Sequence, residues 1–181
     1  MVRIMNTGVA ALVSLIGFSI YAPAVQAQTA GTTKVEFRLA SPDLKKISGG
    51  RIIVIDDTGK VVSTGLTDSQ GTWQATVPVE EDPRFKSVRT MGTVTALALA
   101  QGYNEEAVFE VPVFAGSVQP IMMIPLSTGR RNEPGYTLGN LHRQDVIRMI
   151  DAYAKELDLT KQPPIPGEQG YAPWGSDVKG R

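Results

Sequence analysis

The sequence contains no cysteine and a single histidine, His142, among its 181 residues. Without cysteine the chain has no disulfide, no thiol nucleophile and no cysteine-ligated zinc. Basic and acidic residues balance at 18 each, so the basic excess that nucleic-acid binding requires is also missing. These absences leave apolar burial as the source of stability and exclude nucleic acid as the expected partner.

Long hydrophobic runs are scarce as well. The apolar stretch from Gly8 to Ile20 follows Arg3 and precedes Pro23 and the small-residue sequence Val25-Gln26-Ala27. This arrangement is typical of a secretory signal peptide, residues 1–27, cleaved after Ala27. The stretch is shorter than the roughly 20 residues that cross a bilayer, so a permanent anchor is the weaker alternative. We expect an exported protein, periplasmic or secreted to the cell surface, with no membrane span after signal removal.

The body of the chain consists of short β-branched and aromatic runs separated by turn residues, which predicts an all-β sandwich. Within the first run Val35, Phe37 and Leu39 alternate with charged residues, as in a half-buried strand. The segment 78–89, with three consecutive acids, is expected to be a solvated crossover loop. Seven strands are predicted, at residues 34–40, 51–55, 60–64, 72–77, 93–100, 107–113 and 119–126.

The C-terminal part has a different character. Residues 128–139 are polar and turn-rich and are predicted to be a linker, and residues 140–158 have the spacing of an amphipathic helix capped by Asn140. Residues 159–181 form a Pro/Gly-rich tail, expected to be extended apart from local docking of Tyr171 or Trp174. The predicted apolar face of the helix comprises Val146, Ile147, Met149, Ile150, Tyr153, Ala154 and Leu157.

The sequence from residue 50 to 73 is GRIIVIDDTGKVVSTGLTDSQGTW, and Ala-Gln-Gly-Tyr follows at residues 100–103. The glycine before a strand, the Asp-x-x-Gly turn, the Thr-Asp-x-x-Gly turn and the aromatic Trp73 resemble the carboxypeptidase regulatory-like, or transthyretin-like, family. The resemblance covers about residues 33–127. It implies a seven-stranded transthyretin-like or immunoglobulin-like β-sandwich with an accessory, non-enzymatic role.

Two enzyme classes share that fold. The 5-hydroxyisourate hydrolases use more than one histidine and a C-terminal Tyr-Arg-Gly-Ser motif, and intradiol dioxygenases bind iron through two tyrosines and two histidines. A single histidine cannot supply either set, and structural packing is favoured over catalysis for His142. We therefore predict no enzymatic activity, no cofactor and no metal, with a hydrolase of unrecognised site as the least favoured alternative.

Three acidic residues and one tryptophan have two possible roles each. Asp56, Asp57 and Asp68 could hold calcium at one end of the sandwich, but their spacing matches no calcium loop, so bonding to turn amides is preferred. Trp73 could stack on a sugar, but Ala75 and Val77 in phase with it favour core burial.

The tail supplies the candidate partner-binding residues. Pro163, Pro164 and Pro166 have polyproline character, and with Tyr171 and Trp174 they could bind another extracytoplasmic protein. The helix is expected to pack on its own sheet, with docking on a partner as the alternative. The leading hypothesis is an accessory or protein-binding module. The alternative is a carbohydrate- or cell-wall-binding module that stacks Trp174, Tyr171 or Tyr136 on a glycan.

Overall fold

The computed structural model describes residues 31–174, and the predicted signal peptide and the last seven residues of the tail lie outside the described residues. Within this range the chain forms two β-sheets and one α-helix. The predicted all-β sandwich is confirmed, but it has eight strands rather than seven. The strands are β1 (Thr32–Ala40), β2 (Arg51–Ile55), β3 (Val61–Leu66), β4 (Thr72–Pro78), β5 (Gly92–Leu99), β6 (Glu106–Val113), β7 (Ser117–Met122) and β8 (Gly135–Leu138).

The small sheet has the strand order β4-β1-β7, and the large sheet has the order β3-β2-β5-β6-β8. β1 pairs antiparallel with β4 and parallel with β7. Val35, Phe37 and Leu39 of β1 are at most 1% exposed, because alternation directs all three toward the other sheet. They form one core with the inward residues of the large sheet, among them Ile52, Val54, Ala96, Ala98, Val108 and Val111.

Two equivalent turns lie at either end of β3, the first joining it to β2 and the second to β4 of the small sheet. In the first turn Asp56 accepts the backbone N–H groups of Thr58 and Lys60 through Oδ1, at 3.0 and 2.9 Å. In the second turn Asp68 accepts those of Gln70 and Thr72 at 2.8 and 2.9 Å. Each turn closes on a glycine with positive φ, Gly59 at 85° and Gly71 at 71°, a conformation in which a side chain would be strained. Both aspartates are therefore occupied in turn formation.

Trp73 of β4 joins the two sheets at their open edge. Its ring stacks on Phe37 with centroids 5.9 Å apart and packs against the core. A Cβ added to Gly65 of β3 would lie 2.1 Å from the indole Nε1, so the ring covers the glycine. Trp73 is thus a partly buried core residue in this structure.

The crossover segment between β4 and β5 is less solvated than the sequence predicts. It contains a short 3₁₀ helix, Pro83–Phe85, begun by Asp82, whose side chain accepts the N–H of Arg84. Phe85 is only 2% exposed and Met91 only 1%. The segment therefore contributes its own apolar anchors to the sandwich.

The predicted linker, residues 128–139, contains strand β8. This strand pairs parallel with the first half of β6, where Ala107 is opposite Tyr136 and Phe109 is opposite Leu138. Its backbone continues the large sheet by one strand, because Gly139 donates to the carbonyl of Phe109 at 2.6 Å. The α-helix α1, Arg143–Glu156, follows directly. Within the described residues, no helix combines the length and apolar character needed to cross a membrane.

Candidate binding site

The N-terminus of α1 is tied to the sandwich by polar contacts. His142, not the predicted Asn140, is the N-cap, and its Nδ1 accepts the N–H of Gln144 at 3.3 Å. Asn140 instead donates its backbone N–H to the buried Gln119 side chain at 2.7 Å. His142 is exposed to solvent, so its place in the molecule is that of a helix cap.

The first turn of α1 also buries a charge. Asp145 is 1% exposed and accepts from the guanidinium of Arg89 at 3.0 Å, while that guanidinium lies 4.6 Å from the ring centroid of Phe114. Within the described residues the helix packs against the 3₁₀ helix. The predicted apolar face is partly covered, since Ala154 is only 5% exposed and Val146, Ile147 and Met149 are half-buried, whereas Ile150 is 41%, Tyr153 45% and Leu157 70% exposed. The helix is therefore attached by polar contacts at its beginning and by part of its apolar face.

The chain reverses direction at the end of α1. Asp158 adopts a positive φ of 52°, its N–H donates to the carbonyl of Lys155, and the N–H of Leu159 donates to that of Ala154 at 3.0 Å. These two bonds form a Schellman ending, which normally uses glycine at the position of Asp158. The reversal sends the tail back along the helix.

The returning tail is held by one carboxylate oxygen. Oδ1 of Asp151 accepts from Nε1 of Trp174 at 2.6 Å and from the hydroxyl of Tyr171 at 3.2 Å. The ammonium of Lys161 lies 3.6 Å from the same oxygen and 5.0 and 5.2 Å from the Tyr171 and Trp174 ring centroids. We call these four residues the Asp151 cluster. It combines a hydrogen-bonded carboxylate with a cation placed against two aromatic rings.

The contacts within the Asp151 cluster shift the pKa values of Asp151 and Tyr171. The Trp174 hydrogen bond, aided by the charge of Lys161, lowers the pKa of Asp151 below its usual value. Partial burial and the negative charge of Asp151 raise the pKa of the Tyr171 phenol. The cluster is therefore in its bonded form, with Asp151 ionised and Tyr171 protonated, across the neutral range.

Between its two ends the tail forms a closed loop, residues 161–174, which we call the tail loop. Lys161 and Trp174 form an antiparallel bridge, and Gln162 donates to the carbonyl of Pro173 at 2.9 Å. A turn at the far end is closed by the bond from Glu168 to the carbonyl of Ile165 at 3.1 Å. The loop encloses a shallow groove of about 190 Å³.

The structure separates the five predicted partner-binding residues into two groups. Pro163, Pro164 and Pro166 lie on the outward part of the tail loop, where all three are exposed. Tyr171 and Trp174 are half-buried and fix its base through Asp151. Asp151 and Lys161 were not predicted as site residues from the sequence. The available signal was the presence of an acid and a lysine close in sequence to the two aromatic residues.

A second concave region lies at the Asp56 end of the sandwich and encloses about 340 Å³. Arg84 crosses it, bonded to Asp82 at 2.5 Å and to Glu110 at 2.8 Å, and Glu110 has a positive φ of 57° at a bulge in β6. Bonding to Arg84 lowers the pKa of Asp82, which suits ion pairing rather than proton donation. Within residues 31–174 no three acidic or histidine side chains are grouped as a metal site.

No protein-family model and no curated relative matches the sequence. Among solved structures, the TIE protein of Bacillus anthracis matches 52% of this chain and 17% of its own, at 17% identity and TM-score 0.41. Catechol 1,2-dioxygenase from Acinetobacter sp. ADP1 matches 61% and 60%, at 10% identity and TM-score 0.40. A cohesin–X-dockerin complex from Acetivibrio cellulolyticus matches 50% and 56%, at 21% identity and TM-score 0.32.

The chain spans less than two thirds of the length of each of these structures. At these TM-scores the matches give no basis for assigning an activity. The class that the fold itself defines is a two-sheet β-sandwich with an appended C-terminal helix and tail loop.

Proposed function

We propose that the protein is an exported, non-enzymatic accessory module that binds another extracytoplasmic protein through its tail loop. The signal-like N-terminus and the resemblance of residues 33–127 to carboxypeptidase regulatory-like domains support this role. The observation that carries it is the tail loop itself. Its outward part presents prolines to solvent, while its base is held on α1 by the Asp151 cluster.

A loop that is already ordered before binding loses less conformational entropy when it binds than a flexible segment does. Proline restricts φ at three of the four positions from residue 163 to 166, and fixing the base restricts the ends. Pro-rich segments bind aromatic-lined grooves on their partners, which exploit this low conformational freedom. Ile165, 44% exposed between the prolines, supplies the apolar side chain for such a groove. The expected partner therefore presents an aromatic-lined groove.

The test is quantitative capture of envelope proteins on the immobilised mature protein. Replacing Pro163, Pro164 and Pro166 together by alanine should abolish recovery of the partner, because the recognised surface is removed. Asp151→Ala should reduce recovery by about tenfold, since the loop must then be ordered on binding. Glu156→Ala, which removes an acid from the same helix, serves as the matched control and should bind normally. Equal recovery by the wild-type protein and all three variants would contradict the proposal.

A glycan-binding module is the second candidate, and one observation favours it. Tyr136 on β8 is 80% exposed, as a sugar-stacking residue must be. The other two candidate stacking residues, Tyr171 and Trp174, are engaged with Asp151. Co-sedimentation with purified cell wall that is lost in Tyr136→Ala would support this function over the first. Absence of co-sedimentation would eliminate it.

A further inference from the structure

The outer face of the large sheet is mostly apolar. Alternation and register place one row of side chains from Thr64 through Ile53, Leu97 and Ala107 to Tyr136 on the side opposite the core. The flanking rows continue this composition. The outer sheet face comprises residues Ile53, Ile55, Val61, Leu66, Leu97, Leu99, Ala107, Phe109, Tyr136 and Leu138, together with Arg51, Thr64 and Thr95.

Large side chains on this face are open to solvent. Val61 and Leu66 are both 52% exposed, Phe109 47% and Leu138 75%. Isolated exposed hydrophobic residues are normal, but a contiguous apolar surface of this size on a folded domain marks an interaction site. The inner face of the same sheet already covers the core, so the outer face is not needed for folding of the single chain.

The charge on the face is low. The charged residues Arg51 and Glu105 lie together at one end of the face, beside Leu66 and Leu99. The guanidinium of Arg51 lies 3.4 Å from the hydroxyl of Thr64. Depletion of charge over a whole face is typical of interfaces between identical subunits, which are more apolar than those of transient complexes. Balanced charge, 18 basic against 18 acidic residues, also leaves little repulsion between copies.

The area is sufficient for a stable dimer. Five strands spaced by about 4.8 Å and about six residues long give a footprint of roughly 24 by 20 Å on each copy. With side-chain relief, two such faces bury roughly 1,000 to 1,500 Å² in total, which reaches the lower end of the range of specific interfaces. Two sheets pack face to face with their strands about 30° apart. This is compatible with a two-fold axis near Leu97 on the central strand β5.

We propose that the outer sheet face binds a second copy of this chain, forming a symmetric dimer by packing the two large sheets against each other. The inference rests on the sheet alone, so it stands or fails separately from the function proposed for the tail loop.

The test is the molar mass of the purified mature protein in sedimentation velocity and light scattering across a concentration series. The wild-type protein should have the mass of two chains. Leu97→Lys buries an unpaired charge at the centre of the interface and should weaken association by at least about a hundredfold. Gln74→Lys, which adds the same charge to the outer face of the small sheet, should remain dimeric. Tyr136→Lys repeats the Leu97→Lys test at the edge of the face, where the substituted side chain lies outside the core of the single chain.

Circular dichroism confirms that each variant is folded before its mass is interpreted. A second measurement uses the absence of cysteine. A single Ala107→Cys substitution should give efficient cross-linking of two chains by a short bis-maleimide, whereas Gln74→Cys should not. A wild-type protein that stays monomeric at high concentration would overturn the proposal, as would a dimer that Leu97→Lys leaves intact. Binding of a different protein or of a glycan on this face by a monomer would also overturn it.

Discussion

Gly65 of β3 lies directly under the indole of Trp73, and one added methyl group there tests how the two sheets are joined. In Gly65→Ala the new Cβ would lie 2.1 Å from Nε1 and 2.2 Å from Cε2 of the ring. Ordinary contact between such atoms needs about 3.5 Å, so the ring would have to move by more than about 1 Å. Phe37, stacked at 5.9 Å, restricts that movement.

The cost has two parts. Loss of the Phe37 aromatic pair removes about 0.5 to 1.5 kcal/mol, and strain from overpacking adds about 1 to 3 kcal/mol. We expect the free energy of unfolding to fall by roughly 2 to 4 kcal/mol, which lowers the Tm of a domain of this size by roughly 5 to 15 °C. Backbone hydrogen bonding of β3 is unchanged by the substitution, so the effect reports on the ring.

Thermal and denaturant unfolding measure this effect. Gly129→Ala is the matched control, because a Cβ added at Gly129 would meet no heavy atom within 4 Å, and it should change stability by less than about 0.5 kcal/mol. Gly65→Ala should also cost far less in a Trp73→Val background, where the ring is gone. An equal cost in both backgrounds, or a Gly65→Ala protein as stable as the control, would refute the reasoning.

Three further substitutions test single contacts by unfolding measurements. Burial raises the pKa of Glu106, so ionisation of this side chain opposes folding at neutral pH. Glu106→Gln should therefore raise the free energy of unfolding at about pH 7, and this gain should disappear as the pH falls through the raised pKa of Glu106. A pH-independent gain would contradict this. Thr67→Val removes the hydroxyl that donates to the carbonyl of Ile47 and accepts the N–H of Gly50. It should lower the free energy of unfolding by about 2 to 3 kcal/mol. Asp158→Gly should stabilise by about 0.5 to 1 kcal/mol, because its φ is positive; a loss would show that the aspartate side chain is required.

The strands that pair locally could be predicted from the sequence. β2 and β3 are joined by a turn whose Asp56 and Gly59 have unambiguous roles, and the alternation of Val35, Phe37 and Leu39 defines the buried side of β1. In each case the signal is contained within a few residues. The predicted boundaries of these strands differ from the observed ones by at most two residues.

The features that the sequence did not predict depend on distant partners. β8 is four residues long and pairs parallel with β6, almost thirty residues away, so its sequence has no strand pattern of its own. Helical periodicity indicated the apolar face of α1, of which Ala154 is buried, but not the ion pair at the start of the helix, because the burial of Asp145 depends on Arg89. The role of Asp151 likewise follows from where the tail returns. These contacts are tertiary and leave no local periodicity.

The central claim is that the tail loop contacts the partner protein. Site-specific photo-cross-linking tests it most directly, with a photoreactive amino acid at Ile165, which is 44% exposed, and at Lys60 in an exposed turn as the control position. In intact cells the probe at residue 165 should give one discrete adduct with an envelope protein, and the adduct should disappear when Pro163, Pro164 and Pro166 are replaced by alanine. No adduct at residue 165, or the same adduct from residue 60, would contradict the account.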